Sequence, residues 1–280
     1  MQHLTVALTD QDLTLEHKQG EYYLDTHVEF QQVVALSHLL LASGAFPPAE
    51  MKSIMTTLLN HFAGSERHRL KQALAHDVEA YLPYNREVPL LEMIGTLTDA
   101  ITEQKAVTFT YRSRRSLTRV KLNRRHTGKP GALFVNNNRF YVALFEHETQ
   151  RADHYYLYRL DRIVKIEKPR VNLSLKPGRF DLQAYRQHNY LLFDSEHVRV
   201  HLLYQDYPQT LKEAFPTAQQ LKKYPDEENR WEFVIPDVSY DGIKLWALSA
   251  GSKVTILSPA RLAEAIRDEA LKVVNLYKNN

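Results

Sequence analysis

The residues best equipped for chemistry are concentrated between Arg139 and Ile163, RFYVALFEHETQRADHYYLYRLDRI. The stretch holds Phe140, Tyr141, Phe145, Tyr155, Tyr156 and Tyr158, and it closes on Arg159-Leu160-Asp161-Arg162. Aromatic faces cover planar groups and cations, and guanidinium forks grip carboxylate and phosphate. That pairing suits capture of a planar anion better than bond breaking. Upstream, Arg112 to Arg125 (RSRRSLTRVKLNRR) adds six Arg and one Lys, and no acid occurs from Gln104 to Phe145. Phosphate binding is the functional reading of that run, and a solvated basic hairpin is the alternative.

Catalytic patterns are missing from the sequence. The histidines are scattered, without HExxH or an acidic cluster at metal-ligand spacing. Lys129 stands in TGKP, but no glycine lies five residues before Gly128, so this is no P-loop. Neither GxGxxG nor GxSxG occurs, and there is no cysteine to act as nucleophile, thiolate ligand or disulfide half. The expectation is a non-enzyme without metal or cofactor. Absence of cysteine fits a reducing compartment. No apolar run approaches the ~20 residues of a membrane span, and the N-terminus shows no signal-peptide pattern. The expected location is the cytoplasm.

The net charge of +3 conceals a polarity. Residues 1–100 carry 6 Lys/Arg against 13 Asp/Glu, whereas residues 101–170 carry 16 against 6. A basic middle points to an anionic partner, or to docking against the acidic N-terminal region.

Alternation and helical periodicity place these residues. A strand pair is expected within 4–24, turning at Gln19-Gly20. Helices follow, with apolar stripes through Val33, Leu36 and Leu40, then Met51, Met55 and Leu59, a third to Tyr81 and a fourth over about 90–104. The pattern then changes to short strands: 107–111, 117–122, 132–135, 139–145 and 154–160, then 163–166. Asn136-Asn137-Asn138 turns between two of them. Five or six short strands suit a small curled barrel. Alternation sets Phe140, Val142 and Leu144 on one face of their strand, and Arg139, Tyr141, Ala143 and Phe145 on the other. Residues 169–195 read as a linker carrying a short helix, and 196–277 as β-α-β-β-α-β plus a terminal helix, the split β-α-β arrangement.

In this order the motifs resemble the WYL-domain transcriptional regulators. The naming tripeptide appears as Phe140-Tyr141-Val142, departing at two of three positions. Tyr158-Arg159-Leu160-Asp161-Arg162-Ile163 keeps the family's (F/Y)RLDRI closely. Tyr111-Arg112 ends the first strand, and Arg119 matches a basic position on the second. Trp246 to Gly251, followed by Val254, Leu257 and Pro259, resembles the helix-Gly-strand-Pro pattern of the C-terminal WCX extension. The resemblance implies an α+β chain: a wing remnant and helical linker region over 1–89, an Sm-like, SH3-type small β-barrel over 90–168 that senses a ligand, a linker over 169–195, and a ferredoxin-like WCX unit over 196–280. It implies ligand contacts from Tyr111, Arg112, Arg119, Tyr141, Tyr156, Arg159 and Arg162. Where such regulators begin with a winged helix-turn-helix, Leu13 to Leu24 resembles only the last hairpin of the wing.

The expected partners are a nucleotide, single-stranded nucleic acid or other anionic effector, and a second copy of the chain through its terminal helix. Duplex DNA is expected only if a helix-turn-helix precedes Met1. The other reading is a stand-alone Sm-like nucleic-acid-binding protein without a DNA reader. For Arg159 and Asp161, mutual pairing at the barrel's closing turn is the structural alternative to ligand contact.

Overall fold

The computed structural model describes residues 14–18, 21–25, 29–62, 64–84, 87–112, 123–147, 154–167, 178–193, 195–224 and 229–278. The chain divides into two compact units, Met1–Gly178 and Arg179–Asn280.

The first unit opens with a two-stranded antiparallel pair, β1 (Thr14–Lys18) and β2 (Glu21–Asp25). Three helices follow: α1 (Phe30–Ser43), α2 (Pro48–Asn60) and α3 (Gly64–Glu79). A capping box between Glu29 and Gln32 starts α1, and Gly44 ends it at φ 57°. Any side chain at Gly44 would also meet the Leu82 carbonyl, since a Cβ there would lie 2.6 Å from that oxygen. Pro48 opens α2, where its missing N–H costs nothing. Helix α4 (Leu90–Thr102) is capped from a distance: Glu50 of α2 accepts from Leu90 N and Leu91 N, both at 3.0 Å. A carboxylate at a helix N-terminus satisfies orphan donors and meets the positive end of the dipole.

Strands β3 (Val107–Arg112), β4 (Asn123–Asn136), β5 (Arg139–Glu146), β6 (Tyr156–Arg159) and β7 (Ile163–Glu167) form one antiparallel sheet in the order β6-β5-β4-β3-β7. Asn137 and Asn138, at φ 45° and 58°, make the tight β4–β5 turn. A single 3-10 turn, Leu160–Arg162, joins β6 on one edge to β7 on the other. So short a link between opposite edges forces the sheet to curl. Leu160 and Ile163 are fully buried and fix that turn in the core. Helices and sheet share one hydrophobic core, in which Val33, Leu41, Met51 and Leu74 join Leu97, Phe109, Val142 and Leu160.

One sequence expectation changes here. The strand expected at 132–135 is the end of a strand running from Asn123, whose register slips between Pro130 and Ala132. Pro130 lacks an N–H, and a Cβ on Gly131 would lie 2.5 Å from the Tyr155 ring, so Thr-Gly-Lys-Pro-Gly makes a bulge within one continuous strand. The strand expected at 117–122 lies outside the described residues.

The second unit contains α5 (Leu182–His188), β8 (His197–Gln205), α6 (Pro208–Ala214), β9 (Gln219–Lys223), β10 (Arg230–Ser239), α7 (Tyr240–Ala250), β11 (Val254–Ser258) and α8 (Ala260–Lys278). Its sheet is antiparallel, ordered β11-β8-β10-β9. Along β8, Val198, Val200, Leu202 and Tyr204 are buried while their neighbours are not, the signature of one covered face. Phe215 and Trp246 meet edge to face at 5.0 Å within this core. In α8, Leu262 is fully buried and Ile266 packs on the same core, but beyond Ile266 the helix is exposed.

Candidate functional site

Tyr141 is the centre of the candidate site. It stands on β5 directly opposite Arg159 of β6 and Phe134 of β4. Cross-strand partners share a face, and Phe134 stacks against the phenol at 5.8 Å with planes 15° apart. The sequence alternation therefore holds in part: Val142 and Leu144 face the core, but Ala143, on Tyr141's own side, is buried as well. Burial raises the Tyr141 hydroxyl above the ordinary tyrosine range, while the charges of Arg159, Arg139 and Arg162 oppose that rise. Three guanidinium groups thus lie close enough to act on one half-buried phenol.

The three arginines differ in their ties. Arg159 grips Asp161 with both arms of its fork, Nε to Oδ1 at 2.9 Å and Nη2 to Oδ2 at 2.5 Å. These side chains are only 17% and 18% exposed. The hydrogen bonds that Arg159 donates to Asp161 push its guanidinium pKa further up. Arg139 lies over the Tyr84 ring at 4.7 Å. Arg162 projects from the 3-10 turn, and neither it nor Arg139 has an ion pair among the described residues. Arg139 and Asp161 also line a cleft of about 10 Å³ with Tyr84, Leu90, Asn138 and Phe140. That space is no larger than a water, so an anion here would lie on the surface.

The remaining expected residues divide. Tyr111 reaches the site from the core side, its hydroxyl accepting from Arg159 N at 3.3 Å while its ring meets Tyr158 at 5.0 Å. Tyr156 lies on the opposite face of β6 from Arg159, packs towards the core and touches His154. The structure does not bring it to Tyr141. Arg112 is exposed at the end of β3. Arg119 lies outside the described residues.

One group was not foreseen. His126 Nδ1 lies 2.6 Å from Glu146 Oε1 and 2.9 Å from the Tyr158 hydroxyl, which donates to the same carboxylate oxygen. The rings of Phe109, Tyr111 and Tyr158 surround the imidazole. Burial would raise the Glu146 carboxyl, but hydrogen bonds from His126 and Tyr158 outweigh it and hold the group below the ordinary glutamate range. Burial first, then the bond to Glu146, pushes the Tyr158 phenol far up. Tyr158 therefore stays protonated and anchors the (F/Y)RLDRI stretch from the core side. His126 shares Phe109's face through the β3–β4 register, a pairing that no local pattern in the sequence shows. Among the described residues no group of three or more His, Asp or Glu side chains is placed to hold a metal ion, and no helix is long and apolar enough to cross a membrane.

Comparison with known families settles the relationship. Residues 92–168 match the family model described as WYL domain, and residues 190–274 the one described as WCX domain. The chain carries a WYL domain followed by a WCX domain. Among solved structures it is similar to proteasome accessory factor B/C (PafBC) of Arthrobacter aurescens, at 16% identity over 91% of this chain and 39% of that one, with a TM-score of 0.31. It is also similar to a CRISPR Cas-related protein, at 14% identity over 79% of this chain and 56% of that one, with a TM-score of 0.41. The chain thus spans less than two thirds of either. No curated protein matches. Within the WYL domain lie Tyr111, Tyr141, Arg159 and Arg162, and the WCX domain covers the second sheet and most of α8.

Proposed function

We propose that this chain is the ligand-sensing and dimerisation part of a WYL-type transcriptional regulator. In this reading residues 90–168 form an Sm-like, SH3-type barrel and residues 196–280 a ferredoxin-like WCX unit, with 1–89 preceding them and 169–195 as linker. The strand order β6-β5-β4-β3-β7 and its 3-10 closing turn support the first assignment, and the order β11-β8-β10-β9 supports the second. The effector is a nucleotide or short single-stranded nucleic acid, bound at the surface around Tyr141.

One observation carries the reading: Arg139 and Arg162, neither ion-paired among the described residues, flank a half-buried tyrosine backed by a stacked phenylalanine. A phosphate takes the guanidinium groups, and a base takes an aromatic face. Arg159 serves as frame, because its fork is filled by Asp161. Fluorescence anisotropy with a labelled short oligodeoxythymidylate, competed by mononucleotides, tests this. Binding is expected, with Tyr141→Ala weakening it by about ten- to a hundredfold. Tyr141→Phe separates hydroxyl from ring. No binding at low salt would overturn the proposal.

Dimerisation rests on α8. Past Ile266 it exposes Leu271, Val273, Val274, Leu276 and Tyr277, the last two at 71% and 77%. A contiguous apolar helix end of this kind calls for a partner, and a second copy related by two-fold symmetry is the simplest one.

A further inference from the structure

The helices ahead of the sheet enclose a groove that the nucleotide reading leaves unused. It has a volume of about 500 Å³, in the range that small-molecule sites occupy. Helix α1 lies against α3 more extensively than α2 does, and the gap between α2 and α3 is the groove. Its floor is the core itself: Leu41, Met51, Met55 and Leu74. On α2, Pro48, Met51, Met55 and Leu59 recur at three- and four-residue steps, so one apolar stripe runs its length. Two unbranched methionines give it a wall that adapts to its occupant.

Charge defines what fits. Residues 30–84 contain four Lys or Arg side chains. Arg69 lies over the Phe30 ring, and Arg67 donates to Asn60. The other two, Lys52 of α2 and Lys71 of α3, have no ion pair or hydrogen bond among the described residues, and both line the groove. The unengaged cations of this helical region thus stand at the mouth of its apolar cavity, one on each wall.

We propose that this groove binds an amphipathic monocarboxylate, a straight-chain fatty acid, with its tail between α2 and α3 and its carboxylate held by Lys52 and Lys71. A buried tail removes apolar surface from water, and two ammonium groups select an anionic head over a neutral one.

Isothermal titration calorimetry of the full chain with hexanoate, octanoate, decanoate and dodecanoate tests the proposal. Affinity should rise by about fourfold per added methylene until the groove is full. Dodecanol should bind at least tenfold more weakly than dodecanoate, and Lys52→Gln/Lys71→Gln should remove that difference. Ala75→Phe, at an exposed lining position that leaves the core untouched, should abolish binding while the melting temperature holds. No heat with dodecanoate, an affinity independent of chain length, or full binding by a folded Ala75→Phe chain would each overturn it. Oligonucleotide binding at Tyr141 is a separate readout and should be unchanged in Ala75→Phe.

Discussion

Asp161→Asn should weaken the fold and strengthen anion binding together. The wild-type carboxylate fills the Arg159 fork with two charge-assisted hydrogen bonds, in a setting where both side chains are less than one fifth exposed. Little solvent screening discounts such a pair. Losing the charge while keeping the shape should cost about 1.5–3 kcal/mol. For a chain of this size that lowers the melting temperature by roughly 3–12 °C. The same substitution frees a third guanidinium beside Tyr141 and removes the acid that competes with a ligand phosphate. One additional charge-assisted contact tightens binding by about tenfold. Engaging one more phosphate steepens the salt dependence of single-strand binding by about 0.7 in log–log slope. Thermal melts and anisotropy titrations at several salt concentrations read both effects. A folded Asp161→Asn chain that binds more weakly would refute the reasoning, because Asp161 would then be orienting Arg159 towards the ligand.

Glu146 is held below the ordinary glutamate range in the folded chain, so its stabilisation is present above the unfolded value and is lost as pH falls through the folded one. Glu146→Gln should therefore flatten the fall of melting temperature on acidification, and parallel curves for the two proteins would remove this role. Glu50→Ala leaves Leu90 N and Leu91 N without their acceptors and should cost about 1–2 kcal/mol by denaturant titration; an unchanged midpoint would discount the cap. Light scattering should give a dimer mass for the wild type and a monomer for Leu276→Asp/Tyr277→Asp. A monomeric wild type would end the dimer assignment.

Periodicity made much of the architecture legible. The second unit's order of strands and helices follows from alternation in β8 and from the stripe in α8, both local patterns. Counting in twos fixed the face of Tyr141 on β5 and of Arg159 on β6, but that the two stand opposite one another comes from the β5–β6 register. The same counting, carried back from Arg159, puts Tyr156 on the other face, so its inclusion rested on the family resemblance alone. Non-local pairings were not legible. The Glu50 cap spans forty residues, and the His126–Glu146–Tyr158 group depends on the β4–β5 register, which the bulge at Pro130 shifts. The groove between α2 and α3 needed the packing of three helices, which no local pattern shows.

The most direct test of anion capture around Tyr141 is the salt dependence of oligonucleotide binding by the wild type and by Arg139→Ala/Arg162→Ala. Two phosphates released from the interface should make the variant's log–log slope shallower by about 1.4, with affinity down by at least tenfold at low salt. Equal slopes and equal affinities in the two folded proteins would contradict the account.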